Sequence, residues 1–258
     1  MKHVRKPPPR VPIGVALSYQ RLLRRWLAGF QANISAVILD GWDRNPVISG
    51  GQVKADASDF VRRKLGQVDL ILEETFKPQD LAGEIEILAS RINKKGLLEF
   101  RRVVGVSLHT ERGITDQLAK FRDRNVDLIK SLAGDQKDRI TDVLDKAERG
   151  ALRVEELRKE LQATFDVSRS KADLIARDQV LKLNGQLNQT RQQNAGISEY
   201  IWRTSKDERV RETHADLDGT RQSWADPPQV SEDGRTGHPG DDYQCRCTAE
   251  PVLTLLEE

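Results

Sequence analysis

The apolar residues in the first two thirds of the chain repeat with the spacing of amphipathic helices. Within residues 17–38 they fall three or four positions apart, on one face of a helix: Leu22, Leu23, Trp26, Leu27, Phe30, Ile34, Val37 and Ile38. The same spacing predicts helices over residues 58–75, 78–93, 97–107, 116–132, 136–148, 154–165 and 168–194. We expect these helices to pack around apolar cores, with a turn or linker at residues 45–51.

The pattern changes after Gly196. Residues 199–204 alternate and are rich in β-forming side chains, which predicts a strand, and residues 249–253 predict an edge strand that contains Pro251. The residues between them have few apolar side chains and many Asp, Gly and Pro residues. Because so polar a segment cannot close much of a hydrophobic core, we expect docking on the helices or a bound metal to order it.

The two patterns together predict a mainly α protein with a small α+β C-terminal module. The helical body is followed by a loop-rich domain that zinc could stabilise. Four segments are expected along the chain: a basic, proline-rich arm (1–15), an N-terminal helical region (16–110), a second helical region (111–196) and an acidic α+β module with a His/Cys motif (197–258).

The charge of the chain is segregated although its total is small. The 258 residues carry 42 Lys and Arg and 40 Asp and Glu, a formal net charge of +2. Residues 1–39 hold seven basic residues and no acidic one, whereas residues 207–258 hold 13 acidic and five basic residues. The near-neutral total therefore does not exclude binding to nucleic acid.

The basic residues near the N-terminus are candidates for contact with DNA phosphates or with an acidic protein surface. They are Arg5, Lys6, Arg10, Arg21, Arg24 and Arg25. Prolines 7–9 favour an extended arm, and the alternative interpretation is a solvated terminus without a partner. No segment resembles a signal peptide or approaches the roughly 18–20 apolar residues that span a bilayer, so we expect a cytosolic protein with no membrane partner.

Both cysteines and two of the four histidines lie in the C-terminal module. His214, His238, Cys245 and Cys247 together match the donor set of a structural tetrahedral zinc site. A disulfide between cysteines two positions apart would be strained. In the alternative interpretation His238 begins a turn with Pro239 and the cysteines are small buried side chains.

A catalytic interpretation of the same module has less support. Asp207, Arg211, His214, Asp216 and Asp218 place an imidazole among carboxylates, as general acid–base or metal-assisted phosphodiester chemistry requires. Aspartates are also common in loops because they form turns, and the sequence has no glycine-rich phosphate loop or nucleophile elbow. We therefore expect no enzymatic activity.

Several ordered motifs resemble the phage Mu F-like head morphogenesis family. They include residues 125–131, the segment 174–179 with Asn184 and Asn188, residues 200–214, the Leu-Asp-Gly at 217–219, the His-Pro-Gly at 238–240 and the Cys-Arg-Cys at 245–247. Together they cover about residues 115–255, whereas residues 1–110 contain no motif that we can place. Within these motifs we single out Trp202, Asp207, Arg211, Gly219 and Arg246 as structural residues.

The resemblance implies a minor head, or capsid, protein of a tailed bacteriophage or prophage. Family members assist head assembly near the portal and, in some cases, DNA packaging or ejection. The implied partners are the portal protein, other capsid components and phage DNA, and the implied locations are the host cytoplasm during assembly and then the virion head. The alternative is a metal-dependent nuclease or a prophage-borne toxin-like enzyme.

The resemblance also bears on the metal. Many relatives have a Cys-x-x-Cys pair where this chain has Arg211 and His214. Arg211 cannot bind a cation, which leaves His214, His238, Cys245 and Cys247 as the four candidate ligands for a structural zinc. Alternatively, a salt bridge or hydrogen bond of Arg211 replaces the metal.

Overall fold

A computed structural model describes residues 9–40, 42, 57–105, 112–150 and 154–253. In this part of the chain the long helices are α1 (Ile13–Leu39), α2 (Ala57–Thr75), α3 (Pro78–Val104), α4 (Ile114–Gly150) and α5 (Val154–Asn194). After them come β1 (Glu199–Arg203), the short helix α6 (Glu212–Asp216), β2 (Arg221–Ser223) and β3 (Thr248–Pro251). The predicted fold class, mainly α with a small α+β C-terminal module, is confirmed.

Three predicted breaks between helices are wrong. Residues 94–96 lie within α3, residues 133–135 within α4 and residues 166–167 within α5. In each case the buried stripe continues in phase across the polar residues, as Ile92 and Phe100 do in α3. A helix-interior glycine such as Gly96 or Gly134 costs only about 1 kcal/mol, which the packing of the flanking stripe offsets. The predicted turn at residues 45–51 lies outside the described residues.

The chain forms two compact units that are interleaved in sequence. One comprises Met1–Tyr19, Glu84–Arg124 and Ala176–Glu258, and the other comprises Gln20–Gly83 and Asn125–Ile175. The predicted division along the sequence stays a prediction, because these two units are defined by contacts in space. Its four segments are 1–15, 16–110, 111–196 and 197–258. No helix in the described residues is long and apolar enough to cross a membrane.

The unit of residues 20–83 and 125–175 has an apolar core of helical side chains. Phe30 of α1 is fully buried and meets Phe76 and Phe165 edge to face, with ring centroids 5.5 and 5.9 Å apart. Lys64 of α2 donates hydrogen bonds to the carbonyl oxygens of Val37 (2.7 Å) and Asp40 (2.8 Å), at the end of α1. A lysine at this place satisfies carbonyls that have no partner within the helix.

The other unit ends in a three-stranded antiparallel sheet with the order β2-β1-β3. Gly196, at a φ of 76°, ends α5 and turns the chain into β1. Tyr200 and Trp202 are two positions apart on β1 and are both fully buried on one face of the sheet. The predicted strands at 199–204 and 249–253 are confirmed, and β3 is an edge strand as expected.

The C-terminal module docks on the last turns of α5 through polar contacts. Gln192 accepts a hydrogen bond from the indole N–H of Trp224 (3.1 Å) and donates one to the carbonyl of Ala249 (3.0 Å). One helical turn earlier, Asn188 donates to the same carbonyl at 3.3 Å. The sequence predicted that the module docks on the helices, and the side-chain amides of Gln192 and Asn188 make this contact.

Two glycines allow the backbone of α5 and that of the turn at 238–240 to come into direct contact. A Cβ atom on Gly185 of α5 would lie 2.6 Å from the carbonyl oxygen of Pro239. Gly240, at a φ of 99°, lies against Gly185 from the other side. This contact fixes the turn at 238–240 on α5, a few residues before the two cysteines.

Candidate metal centre

His214 lies on α6, which packs against the end of β1. The N–H of Gly219 donates to the carbonyl of Trp202 (2.8 Å), and the N–H of Thr204 donates to the carboxylate of Asp218 (2.8 Å). Gly219 has a φ of 83°, a conformation that favours glycine. These contacts bring the chain from α6 back to β1 and place the His214 ring beside Trp202, with centroids 5.5 Å apart.

Cys245 and Cys247 lie on the segment that leads into β3. The preceding residue, Gln244, has a φ of 54°, and its N–H donates to the buried carboxylate of Asp178 on α5 (2.8 Å). The N–H of Cys245 donates to the carbonyl of Asp242 (3.1 Å). The two cysteine side chains, two positions apart, are both buried.

The donor atoms of His214, Cys245 and Cys247 come together in the interior of the module. All three atoms lie within 4.8 Å of one another. The Nδ1 of His214 is 3.6 Å from the Sγ of Cys245 and 3.5 Å from the Sγ of Cys247. The exposed fractions of the three residues are 2%, 3% and 7%.

These distances fit a tetrahedral zinc ion. Bonds of about 2.3 Å to sulfur and about 2.0–2.1 Å to nitrogen, at a tetrahedral angle, separate the two kinds of ligand by roughly 3.5 Å. The imidazole and the two thiols are also donors that zinc prefers. The cluster can therefore hold a metal ion through three protein ligands.

Hydrogen bonding already favours one thiolate in the cluster. The thiol of Cys247 donates to Cys245, and with the further help of His214 and the N–H of Gly240 this lowers the pKa of Cys245 below its usual value against the effect of burial. The same hydrogen bond, together with burial, raises the pKa of Cys247. Because both sulfurs bind zinc as thiolates, zinc binding would release the proton that they share.

His238, the fourth predicted ligand, does not lie in this cluster. Its Nδ1 is 2.9 Å from the hydroxyl of Tyr200, and its ring packs edge to face on Trp224 with centroids 4.8 Å apart. Burial in this aromatic surrounding lowers the pKa of His238. The structure thus brings together three of the four predicted donors and gives His238 a place in the aromatic core.

Three charged residues lie on the other side of the His214 ring. Its Nε2 is 3.4 Å from Oδ2 of Asp242, whose side chain is 4% exposed. Arg211 is 3.3 Å from the same oxygen, and Arg235 is 3.0 Å from Oδ1. Burial alone would raise the pKa of Asp242, but the N–H of Tyr243 and the two guanidinium groups lower it below its usual value. Asp242 was not among the predicted site residues, because no pattern in the sequence distinguishes it from the other aspartates of the loops.

The residues of this centre lie in a segment that matches a known protein family. Residues 138–250 match the sequence model of the family described as Phage Mu protein F like protein. This segment belongs to that family. It contains His214, Cys245 and Cys247, and the family is the one that the sequence motifs indicated.

A relative of the chain comes from Haemophilus influenzae (strain ATCC 51907 / DSM 11121 / KW20 / Rd). This uncharacterized protein is 32% identical in an alignment of 198 residues, which covers 72% of this chain and 43% of the relative. The chain therefore spans less than half the length of that relative. No solved structure matches the chain.

The predicted structural residues of the Mu F-like segment (residues 138–250) all lie around the centre. Trp202 and Arg211 flank His214 and Asp242 respectively, and Gly219 makes the turn back to β1. Arg246, between the two cysteines, donates two hydrogen bonds to Asp207 at 2.5 and 2.6 Å. These hydrogen bonds are the main cause of the lowered pKa of Asp207. That pair ties the loop after β1 to the cysteine segment.

The structure describes four of the six predicted basic contact residues. Arg5 and Lys6 lie outside the described residues. Arg21, Arg24 and Arg25 are exposed on α1, and Arg24 donates to the carboxylate of Asp173, with 2.8 Å between Nε and Oδ1.

Arg10 borders a pocket that the sequence analysis missed. The pocket has a volume of about 460 Å³ and also contains Lys95 and Arg102 of α3 and Gly14 of α1. Glu99, on the same wall, accepts hydrogen bonds from the backbone of Arg10 (2.7 Å) and from Arg102. Three cationic side chains therefore share this pocket with one carboxylate.

Proposed function

We propose that this chain is a minor head protein of a tailed bacteriophage or prophage, which assists head assembly at the portal. The observation that carries the proposal is the membership of residues 138–250 in the Phage Mu protein F like family. The burial of Trp202, His214 and the two cysteines in one core supports it, because the shared motifs then specify a folded module.

The distribution of charge supports a bridging role in this assembly. The basic residues of the first 39 positions suit DNA or an acidic surface of the portal, and the acidic C-terminal module suits a second, basic surface. Lys95 and Arg102, which line a pocket together with Arg10, are two further cationic side chains that suit an acidic partner. We propose the portal protein, other capsid components and phage DNA as partners, with a part in DNA packaging or ejection.

We also propose that the C-terminal module holds a structural zinc ion on His214, Cys245 and Cys247. When bound, zinc would supply a cross-link between α6 and the segment that leads into β3. The three donors are almost completely buried, which suits a structural site better than a site that must admit a substrate. Stoichiometric zinc in the purified protein, and a melting temperature that falls with chelator, are the expected results.

The head-assembly role is testable in the phage or prophage that encodes the chain. Deletion of its coding sequence should strongly reduce the yield of DNA-filled heads, and the wild-type chain supplied in trans should restore it. Mass spectrometry of purified heads should detect the chain together with the portal protein. Normal heads from the deletion strain would contradict the proposal.

The role of the basic segment has its own test. A chain in which all six candidate contact residues, Arg5, Lys6, Arg10, Arg21, Arg24 and Arg25, are replaced by Gln should lose DNA binding or incorporation into heads. This variant removes their charge and keeps the buried residues of α1, such as Tyr19 and Leu23. Unchanged DNA binding and unchanged incorporation would contradict this part of the proposal.

The rival function is a metal-dependent nuclease or toxin-like enzyme. We expect no turnover, because the cluster is buried and its neighbouring carboxylate is engaged by two arginines. A nuclease assay on the wild type and on His214→Ala separates the two functions. Cleavage that depends on divalent cations and disappears in the variant would favour the enzyme.

A further inference from the structure

The two ring nitrogens of His214 face different chemical surroundings. Nδ1 faces the sulfurs of Cys245 and Cys247, at 3.6 and 3.5 Å. Nε2 faces the carboxylate of Asp242, at 3.4 Å. Within the described part of the chain, neither Nε2 nor Oδ2 of Asp242 has a hydrogen-bond partner, so the contact between them is a close approach of charge and ring nitrogen.

We propose that Asp242 positions His214 for metal binding, and that Arg211 and Arg235 hold Asp242 in place. The inference rests on the proposed zinc site. Asp242 would not bind the metal itself, because it contacts Nε2 and the metal would bind Nδ1. It would act by orienting the imidazole.

The chemical reason is the tautomer of the imidazole. A neutral histidine carries one proton and offers a lone pair only at the other nitrogen. An ionised carboxylate can only accept hydrogen bonds, so Asp242 favours the proton on Nε2. The lone pair then lies on Nδ1, where the two sulfurs are. A carboxylate on the far nitrogen of a metal-binding histidine also fixes the plane of the ring and raises its basicity.

A buried carboxylate can do this only if its own charge is compensated. Arg235 approaches Oδ1 at 3.0 Å, the N–H of Tyr243 donates to the same oxygen at 2.8 Å, and Arg211 lies 3.3 Å from Oδ2. Arg211 is itself anchored, because it donates to the carbonyl of Tyr243 at 2.7 Å. Arg211, which cannot bind a cation, thereby contributes to the centre from one residue further out.

The test compares the zinc affinity of two aspartate variants of the full-length chain. Asp242→Asn removes the charge with little change in shape, and Asp233→Asn is its matched control because Asp233 also pairs with Arg235 but is exposed. In competition with a chromophoric chelator, we expect Asp242→Asn to bind zinc roughly 10–100-fold more weakly than the wild type. Asp233→Asn should bind like the wild type. Equal affinities of Asp242→Asn and the wild type would overturn the inference.

A second measurement does not depend on any variant folding. Nitrogen-15 NMR of the zinc-loaded wild type should show His214 protonated at Nε2 and bound to the metal through Nδ1. Coordination through Nε2 would overturn the inference.

The zinc proposal itself fails in a different way. If the wild type and the Cys245→Ser, Cys247→Ser double variant retain equally little zinc, the site does not exist and the role of Asp242 is overturned with it. If the wild type binds zinc and Asp242→Asn binds it equally well, the zinc site stands and only the positioning role is lost.

Discussion

The unit of residues 20–83 and 125–175 and the C-terminal module bury very different side chains. The former has a core of aliphatic and aromatic residues on long helices, in which Phe30 contacts both Phe76 and Phe165. The module buries Tyr200, Trp202, Trp224 and both cysteines, together with His214, His238, Asp242 and Glu250. The helical core is therefore stabilised by the apolar surface that it buries and by close packing. The module is stabilised by a few hydrogen bonds and ion pairs with specific directions.

The largest expected effect of a single substitution is in the helical core. Phe30→Ala should lower the free energy of unfolding by about 3–5 kcal/mol, because it removes a fully buried ring and leaves a cavity between Phe76 and Phe165. Denaturant unfolding followed by circular dichroism measures it. Leu70→Ala is the control, since Leu70 is 66% exposed and its loss should change the free energy by less than about 0.5 kcal/mol. Equal effects of the two variants would contradict the apolar core described for this unit.

The next largest effect is expected at Gly185, where the backbone of α5 closely approaches the turn at 238–240. Gly185→Ala should destabilise by about 1–3 kcal/mol, because the new Cβ would meet the carbonyl oxygen of Pro239 at 2.6 Å. Tryptophan fluorescence reports this loss, since Trp202 and Trp224 lie in the module's core.

Gly134→Ala is the matched control for that variant. A Cβ on Gly134 of α4 would meet nothing within 4 Å, so alanine should stabilise the helix by about 0.5–1 kcal/mol. If both variants stabilised the protein, α5 and the turn at 238–240 would not be in close contact.

The smallest effect concerns the half-buried ion pair of Arg246 and Asp207 in the module. The hydrogen bonds from Arg246 are the main cause of the lowered pKa of Asp207. The pair therefore stabilises the folded state at pH values above 3.8, the usual pKa of an aspartate. This contribution is lost as the pH falls through the lowered pKa of the folded state. Asp207→Asn should therefore unfold slightly more easily than the wild type at neutral pH, and the difference should disappear in acid.

Thermal melts of the two proteins across the acidic range measure this difference. A gap between the wild type and Asp207→Asn that widens toward low pH would contradict the assigned sign.

The sequence predicted the parts of the fold that follow from periodicity. The stripe on α1 and the alternation in β1 are local patterns, and both elements formed where they were expected. The breaks near Gly96 and Gly134 were wrong, because propensity at a few polar residues is outweighed by packing on both sides. The short elements β2 and α6 have too few residues to show a period, and neither was predicted.

The candidate site was predictable only in its donor types. His214, Cys245 and Cys247 are rare residues in one polar segment, so their chemistry is visible in the sequence. The place of His238 beside Tyr200, and that of Asp242 beside His214, depend on how α6 and the loops pack together. No spacing along the chain encodes these contacts.

We propose that a metal on His214, Cys245 and Cys247 orders the C-terminal module, whereas apolar packing orders the helices. Hydrogen exchange of the full-length chain, with bound zinc and after chelation, tests it most directly. We predict that chelation removes protection from residues 197–253 and leaves that of α2 and of residues 125–150 unchanged. Equal protection of residues 197–253 in the two samples, or the absence of zinc from the purified chain, would contradict the claim.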